Sequence, residues 1–229
     1  MSSSTQAAAQ PSRVAVRAHQ IRSRPNFNSS TEFVTFTANK DNVGVKFVIH
    51  KEFACHYSKV LKTAFASSFI EGESQTYTFP DYGEEVLRLL VGWIYSTNLV
   101  MPEWDNIFFE DTNTDYLTQL WVLADQLKIP QLQNCVVRKL KDITDSSGRI
   151  PTHCLDYVYQ NTGVDSKLRT WYMHRCAKIM RPYFWSSQNF PPTMLQEVVA
   201  YLAERKPEFQ RPLFSDDDLT RYEVPEVEQ

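Results

Sequence analysis

The sequence predicts an α+β protein in which a few strands come first and packed helices follow. Two changes in the spacing of apolar residues support this prediction. Apolar and polar residues alternate over residues 34–38, 45–49 and 76–79, as in strands with one buried face. From residue 84 onward, apolar residues recur every three or four positions, as in helices. Because a few strands are followed by packed helix pairs, an α+β domain is favoured over a parallel α/β sheet.

Three short strands account for the alternating segments. Segments 32–38 and 43–50 are separated by turn-forming residues, so they are expected to form a β-hairpin. Segment 74–80 is the third strand. The residues that share one face within each strand are Val34, Phe36 and Ala38, then Val45, Phe47 and Ile49, then Tyr77 and Phe79.

Helical signals begin between the second and third strands, where two short helices are expected and Ser58 is placed to cap the second. After the third strand, Asp81 and Glu84 stand three positions apart, which is the spacing of a capping box. The helix that follows, over residues 85–95, is apolar on nearly every side. It is therefore expected to be buried at the centre of the domain.

A helical pair comes next. Thr114 is expected to open its first helix and Pro130 to stop it, because proline lacks the amide that a helix uses. The expected inward-facing residues are Leu117, Leu120, Ala124 and Leu127 in the first helix and Leu132, Val136, Leu140 and Ile143 in the second.

The segment 150–206 is expected to add three helices after a first domain at 31–145. Gly163 separates the first two, and Pro191 and Pro192 precede the third. Their expected inward-facing residues are Leu155, Val158 and Tyr159, then Leu168, Trp171, Tyr172 and Ile179, then Leu195, Val198, Val199 and Leu202.

Both ends of the sequence are expected to be disordered tails. Residues 1–30 contain four arginines, no acidic residue and few large apolar residues, and a mitochondrial targeting signal is the alternative interpretation. Residues 207–229 contain seven acidic and two basic residues, a net charge of −5.

Composition narrows the function classes. A net charge of −3 gives no overall basic field for direct binding of nucleic acid. The four cysteines are scattered, which suits a reducing compartment, and no apolar run reaches the length of about 20 residues that spans a bilayer. These features predict a protein of the cytoplasm and/or nucleus with protein partners and no membrane association.

Four blocks between residue 32 and about residue 143 carry a family likeness. They read VKFVIHKEFACHYSKVLKTAF, FIEGESQTYTFPD, VLRLLVGWIYS and LWVLADQLKIPQLQNCV. Together they resemble the BTB/POZ domain family, which implies a small β-sheet flanked by helical hairpins. The helices that follow are similar to the short C-terminal extension of fungal BTB proteins. The marked positions of the family are matched by His50, Ser58, Phe65, Glu71, Asp81 and Tyr95.

The resemblance implies a protein–protein interaction module that associates with itself or with other proteins. BTB domains commonly form symmetric dimers through the hairpin and first helix, and on this topology Phe53 and His56 are expected at the dimer surface.

Phe69, Ile70 and Glu71 match the pattern of BTB adaptors that dock on a cullin ubiquitin-ligase scaffold. In that alternative function, the C-terminal helices would hold the substrate. The local alternative is that Phe69 packs under its own domain and Glu71 caps backbone. No kelch, zinc-finger or MATH segment is present, and a transcription-associated scaffold is a further alternative, with the DNA-reading element supplied by a partner.

The sequence does not predict catalysis or metal binding by this chain. His50 lies near Cys55 and His56, but no acid or amide is placed to orient an imidazole for catalysis. His153 with Cys154, and His174 with Cys176, have spacings unlike those of the usual zinc loops. The sequence therefore predicts no catalytic residue, no metal site and no cofactor.

Overall fold

The computed structural model describes residues 25, 27, 31–40, 44–101, 109–178, 185 and 190–205. The predicted tails lie outside the described residues except for Pro25 and Phe27, and Ile179 also lies outside them. Within the described part, no helix combines the length and apolar character needed to cross a bilayer. The elements are β1 (Phe33–Ala38), β2 (Val45–His50), α1 (Lys51–Tyr57), α2 (Lys59–Phe65), α3 (Ile70–Ser74), β3 (Thr76–Phe79), α4 (Glu84–Ser96), α5 (Phe109–Gln126), α6 (Pro130–Ser147), a 3₁₀ turn (Thr152–Cys154), α7 (Leu155–Asn161), α8 (Lys167–Ala177) and α9 (Pro192–Arg205).

The sheet has three strands in the order β2-β1-β3. The predicted hairpin is confirmed, since β1 and β2 pair antiparallel with Phe36 opposite Phe47. β3 pairs parallel to β1, with Phe36 beside Tyr77. A parallel pair needs a crossover connection, and α1, α2 and α3 form it. Val34 and Ala38 are buried with Phe36, so the alternating face of β1 is the core face.

Ser58 joins the crossover to the helical half of the domain. As predicted, it caps α2, because its Oγ accepts a hydrogen bond from the amide of Leu61 at 3.1 Å. The same hydroxyl donates to the carbonyl oxygen of Leu127, just after α5, at 2.6 Å. Ser58 is fully buried, so water could not replace its hydroxyl as a hydrogen-bond partner of the Leu61 amide and the Leu127 carbonyl.

The central helix α4 is buried as predicted, but the predicted capping box is wrong. The helix begins at Glu84, its N-cap is Gly83, and no side chain caps it. The reason is Tyr82, which is buried and donates a hydrogen bond to Oε1 of Gln126 at 2.9 Å. Burial of this ring holds the chain extended after Asp81, and Glu84 instead pairs with Arg88 along the helix.

The helical pair α5 and α6 differs from prediction at two boundaries. α5 begins at Phe109, and Thr114 lies inside it with its hydroxyl donating to the carbonyl of Asp111. Threonine can cap a helix or bond back to the preceding turn, and here it does the latter. The helix ends at Gln126, while Pro130 is the first residue of α6.

The three predicted helices after residue 150 are present as α7, α8 and α9. Leu155, Val158, Leu168 and Tyr172 are buried as expected. The predicted inward face of α9 is partly wrong: Val198 is buried as predicted, but Leu195 and Val199 are exposed and Met194 is buried instead. A row of residues four apart on a helix is rotated by about 100° from the row that starts one residue later. When both rows are apolar, the sequence alone does not show which row is buried.

Replacing Ser58 by alanine is expected to lower the free energy of unfolding by about 1–3 kcal/mol. The substitution removes the cap of α2 and leaves the carbonyl of Leu127 without its donor. Urea denaturation measures the change. Ser146→Ala, in the exposed last turn of α6, is the control and should change stability by less than about 0.5 kcal/mol. Equal losses in both variants would contradict the role given to Ser58.

Candidate functional site

Phe69, Ile70 and Glu71 lie together at the start of the short helix α3. Phe69 is the N-cap residue, and Phe69 and Ile70 are each 74% exposed. Glu71 is partly buried. The exposure of Phe69 contradicts the local alternative in which this ring packs under its own domain. The fold therefore presents two large apolar side chains and a carboxylate within three consecutive residues.

The position of α3 is fixed by a close approach of backbone to backbone. A Cβ atom at Gly72 would lie 1.8 Å from the carbonyl oxygen of Ser67, so only glycine fits here. The side chain of Ser67 accepts a hydrogen bond from the amide of Phe69 at 3.3 Å and donates to the carbonyl of Ala64 at 2.7 Å. Gln75 closes the far end by donating to the carbonyl oxygens of Phe65 and Gly72 at 3.2 and 2.5 Å.

A cavity of about 540 Å³ lies between this helix and the outer face of α2. Its apolar lining comes from Val60, Ala64, Phe69 and Tyr77, and burial raises the pKa of Tyr77, with a further contribution from Glu71. The phenol therefore stays neutral at physiological pH. The other residues that line the cavity are Lys59, Thr63, Ser67 and Glu71. We call this cavity, with Phe69, Ile70 and Glu71, the Phe69 surface.

The sequence prediction did not assign Val60 or Tyr77 to a binding surface. Val60 and Ala64 are four residues apart on α2, and this spacing marks one face of a helix. The inner face, with Leu61 and Phe65, is more strongly apolar and fully accounts for the burial of α2. Tyr77 is on β3 and reaches the cavity only because β3 follows α3 into the sheet.

Phe53 and His56, the predicted dimer residues, are both on α1 but in different surroundings. Phe53 is only 4% exposed, with its ring centroid 4.7 Å from that of Phe27 and 5.0 Å from that of Tyr95. It is therefore not an open surface residue in the single chain, and its place at a dimer surface stays a prediction. His56 is partly buried, and its ring lies edge-on to Tyr57 at 4.7 Å.

The neighbourhood of Cys55 lacks the electrostatics of a nucleophile. Burial raises the pKa of this thiol, and Lys51 and Lys62 oppose the shift without reversing it. Reactive cysteines have a lowered pKa. His50 is occupied elsewhere, since its Nδ1 atom and its backbone amide each lie 2.9 Å from the hydroxyl of Tyr95.

A larger cavity of about 910 Å³ lies where α5 and α6 meet the connection between α7 and α8. Two tryptophans, Trp121 and Trp171, contribute aromatic surface to it, and Arg138, Lys167 and Asp165 contribute charge. Its walls come from both the first 145 residues and the helices after residue 150. We call it the interhelical groove.

The 3₁₀ turn and α8 contact α5 through polar side chains. His153 lies 3.3 Å from the Asp115 carboxylate, and the hydroxyls of Thr118 and Tyr172 lie 2.9 Å apart. The hydrogen bond with Asp115 raises the pKa of His153 above its ordinary value. His174, by contrast, lines the interhelical groove. The sequence prediction did not pair Asp115 with His153, because Asp115 lies 38 positions earlier in the sequence and belongs to a different helix.

A family model described as BTB/POZ domain matches residues 26–144 of the chain. The match includes all of the elements from β1 to α5 and nearly all of α6. A search of curated proteins found no match.

Gly72→Ala is expected to lower the free energy of unfolding by about 1–3 kcal/mol, since α3 or the Ser67 loop must shift to admit the new methyl group. Gly92→Ala is the control, because a Cβ atom at this exposed position in α4 meets nothing within 4 Å. That control should gain about 0.5–1 kcal/mol from helix propensity. Urea denaturation measures the stability of both variants. An unchanged stability in Gly72→Ala would contradict the close approach of the Gly72 backbone to the carbonyl of Ser67.

Proposed function

The chain belongs to the BTB/POZ domain family, whose members are protein–protein interaction modules, and we propose that it recruits a protein partner through the Phe69 surface. The observation that carries this proposal is the pair of neighbouring apolar residues, Phe69 and Ile70, each 74% exposed beside the cavity of about 540 Å³. Exposed apolar groups of this kind gather where proteins bind each other.

The chemistry of the surface defines what a partner must offer. An aromatic anchor that enters a pocket of the partner typically contributes about 2 kcal/mol or more to binding, as a hot spot. The apolar lining from Val60, Ala64 and Tyr77 can accept an apolar side chain in return. Glu71 supplies negative charge and Lys59 supplies positive charge at the same surface, so complementary charges on the partner would fix its orientation.

The partner that this surface fits best is a cullin-type scaffold. Phe69, Ile70 and Glu71 match the adaptor pattern of the family, and the exposure of the two apolar residues is what docking requires. In this role residues 31–145 bind the scaffold and the helical extension, residues 150–206, holds the protein to be delivered. The interhelical groove supports the second half of the role, because the partly exposed Trp171 and the mixed charges of its lining suit an extended peptide.

Phe69→Ala is expected to weaken binding of a purified cullin by about 2 kcal/mol or more, which is roughly a 30-fold rise in Kd. Isothermal titration calorimetry measures the change. Val164→Ala is the matched control, because Val164 is 72% exposed but lines the interhelical groove instead. The proposal fails if the unmodified chain does not bind a cullin, or if Phe69→Ala binds as tightly as the control.

Self-association is a second candidate function, and the exposed side of the hairpin favours it. Phe33 and Val48 are exposed there, and Phe27, which is 64% exposed, covers Phe53. Phe33 also contacts the ring of His50 at 4.7 Å, so the apolar surface continues from the strand to α1. A second copy packed on this surface would cover these groups symmetrically, with His56 at its edge.

Light scattering is expected to give twice the chain mass of 26.7 kDa at high protein concentration. Phe33→Glu should shift the mass toward that of one chain, because it places a charge within the interface. Val199→Glu, at an exposed position on α9, is the control and should leave the mass unchanged. A mass of one chain for the unmodified protein at every concentration would exclude this candidate.

A further inference from the structure

Three side chains of metal-binding type meet where the 3₁₀ turn packs on α5. They are the carboxylate of Asp115, the imidazole of His153 and the thiol of Cys154. Oδ1 of Asp115 lies 3.3 Å from Nε2 of His153 and 3.3 Å from Sγ of Cys154. All three ligand atoms lie within 4.8 Å of one another.

These separations suit tetrahedral coordination. Bonds of about 2.0–2.3 Å from zinc to oxygen, nitrogen and sulfur place neighbouring ligand atoms roughly 3.3–3.7 Å apart. The two separations that involve Asp115 are already near this range, and the separation between His153 and Cys154 is below 4.8 Å. Small side-chain rotations would complete the arrangement.

The surroundings of the His153 ring favour a cation over a single proton. Three oxygen atoms approach Nε2, namely Oδ1 of Asp115 at 3.3 Å, Oγ1 of Thr114 at 3.3 Å and the carbonyl oxygen of Asp111 at 3.2 Å. One N–H group cannot align with three acceptors at once. The oxygen atoms of Thr114 and Asp111 therefore add negative potential beside Nε2, which favours a cation there.

Outer groups that orient metal ligands are present as well. Nδ1 of His153 lies 4.0 Å from Oδ1 of Asp111, so a carboxylate stands on the side of the ring opposite the ligand atom. The hydroxyl of Tyr172 lies beside Cys154 and 2.9 Å from Oγ1 of Thr118. Metal-binding histidines usually donate their second ring N–H to such a carboxylate, and a movement of about 1 Å would bring Asp111 within hydrogen-bond distance of Nδ1.

We propose that Asp115, His153 and Cys154 bind one zinc-like divalent ion, with water as the fourth ligand. The mixture of oxygen, nitrogen and sulfur in a tetrahedral arrangement favours zinc over magnesium or calcium. The fourth position is open to water, because the side chains of His153 and Asp115 are 36% and 48% exposed.

The metal ion fastens the helical extension to the first domain. Asp115 belongs to α5, while His153 and Cys154 belong to the 3₁₀ turn that leads into α7. Binding displaces the thiol proton of Cys154 and the proton on Nε2 of His153, and both pass to solvent. The proton that remains on Nδ1 then faces Asp111.

Cobalt(II) tests the site directly, because a thiolate ligand gives a charge-transfer band and tetrahedral coordination gives intense d–d bands. The full chain, freed of metal by chelation, is expected to show both sets of bands at one equivalent of Co²⁺. Zn²⁺ should displace the cobalt, whereas Mg²⁺ should not. Absence of the bands in the unmodified chain would overturn the proposal.

Variants locate the ion. His153→Ala and Asp115→Asn are expected to weaken Co²⁺ binding by roughly tenfold or more, and Cys154→Ser to remove the charge-transfer band. The first two change exposed side chains, so far-UV circular dichroism should confirm native folding even if the buried Cys154 does not tolerate change. Cys135→Ser and His174→Ala are the controls and should bind as the unmodified chain does. Retention of the bands in folded His153→Ala, or their loss in Cys135→Ser, would place the metal elsewhere and overturn the assignment.

A stability measurement gives an independent readout. Zn²⁺ is expected to raise the melting temperature of the unmodified chain, because an ion that binds only the folded state shifts the folding equilibrium. The increase should be lost in His153→Ala and kept in His174→Ala. An equal increase in both variants would contradict a site at His153.

Discussion

The buried hydroxyl of Ser58 fixes the arrangement of the elements around the Phe69 surface. It caps α2 and at the same time bonds the carbonyl of Leu127, so the crossover connection and the helical pair have one relative position. With Leu61 and Phe65 turned into the core, the opposite side of α2 faces outward and forms a wall of the Phe69 surface. The chain that leaves α2 must then turn within a few residues to begin β3. This turn is α3, and it projects Phe69 away from the core.

Much of the fold follows from the spacing of apolar residues, and the errors have identifiable physical causes. Alternation identified the strands, because one face of this sheet is buried and the other is not. The capping pair Asp81 and Glu84 failed because burial of Tyr82, a tertiary effect, decides where α4 begins. Burial of Val198 in α9 was predicted, but Leu195 and Val199 were wrongly placed in the core because two apolar rows compete, and only contact with α8 selects the row with Met194 and Val198.

The candidate sites were predictable only as far as they are local in sequence. Phe69 and Glu71 are two residues apart, so the order of the amino acids alone displays their pattern. Tyr77 joins the same surface through the path of the chain into β3, which no short motif records. His153 and Cys154 are adjacent, but their partner Asp115 comes from α5, and the register between α5 and the 3₁₀ turn arises from packing. Tertiary contacts, therefore, complete both sites.

Site-specific photo-crosslinking at position 69 measures whether a protein partner contacts Phe69. One variant carries a photoreactive phenylalanine analogue at position 69, on the Phe69 surface. A second variant carries it at position 164, at the interhelical groove, and both positions are exposed. With purified cullin, we expect a covalent adduct from position 69 and none from position 164. No adduct from position 69, or equal yields from the two positions, would contradict this expectation.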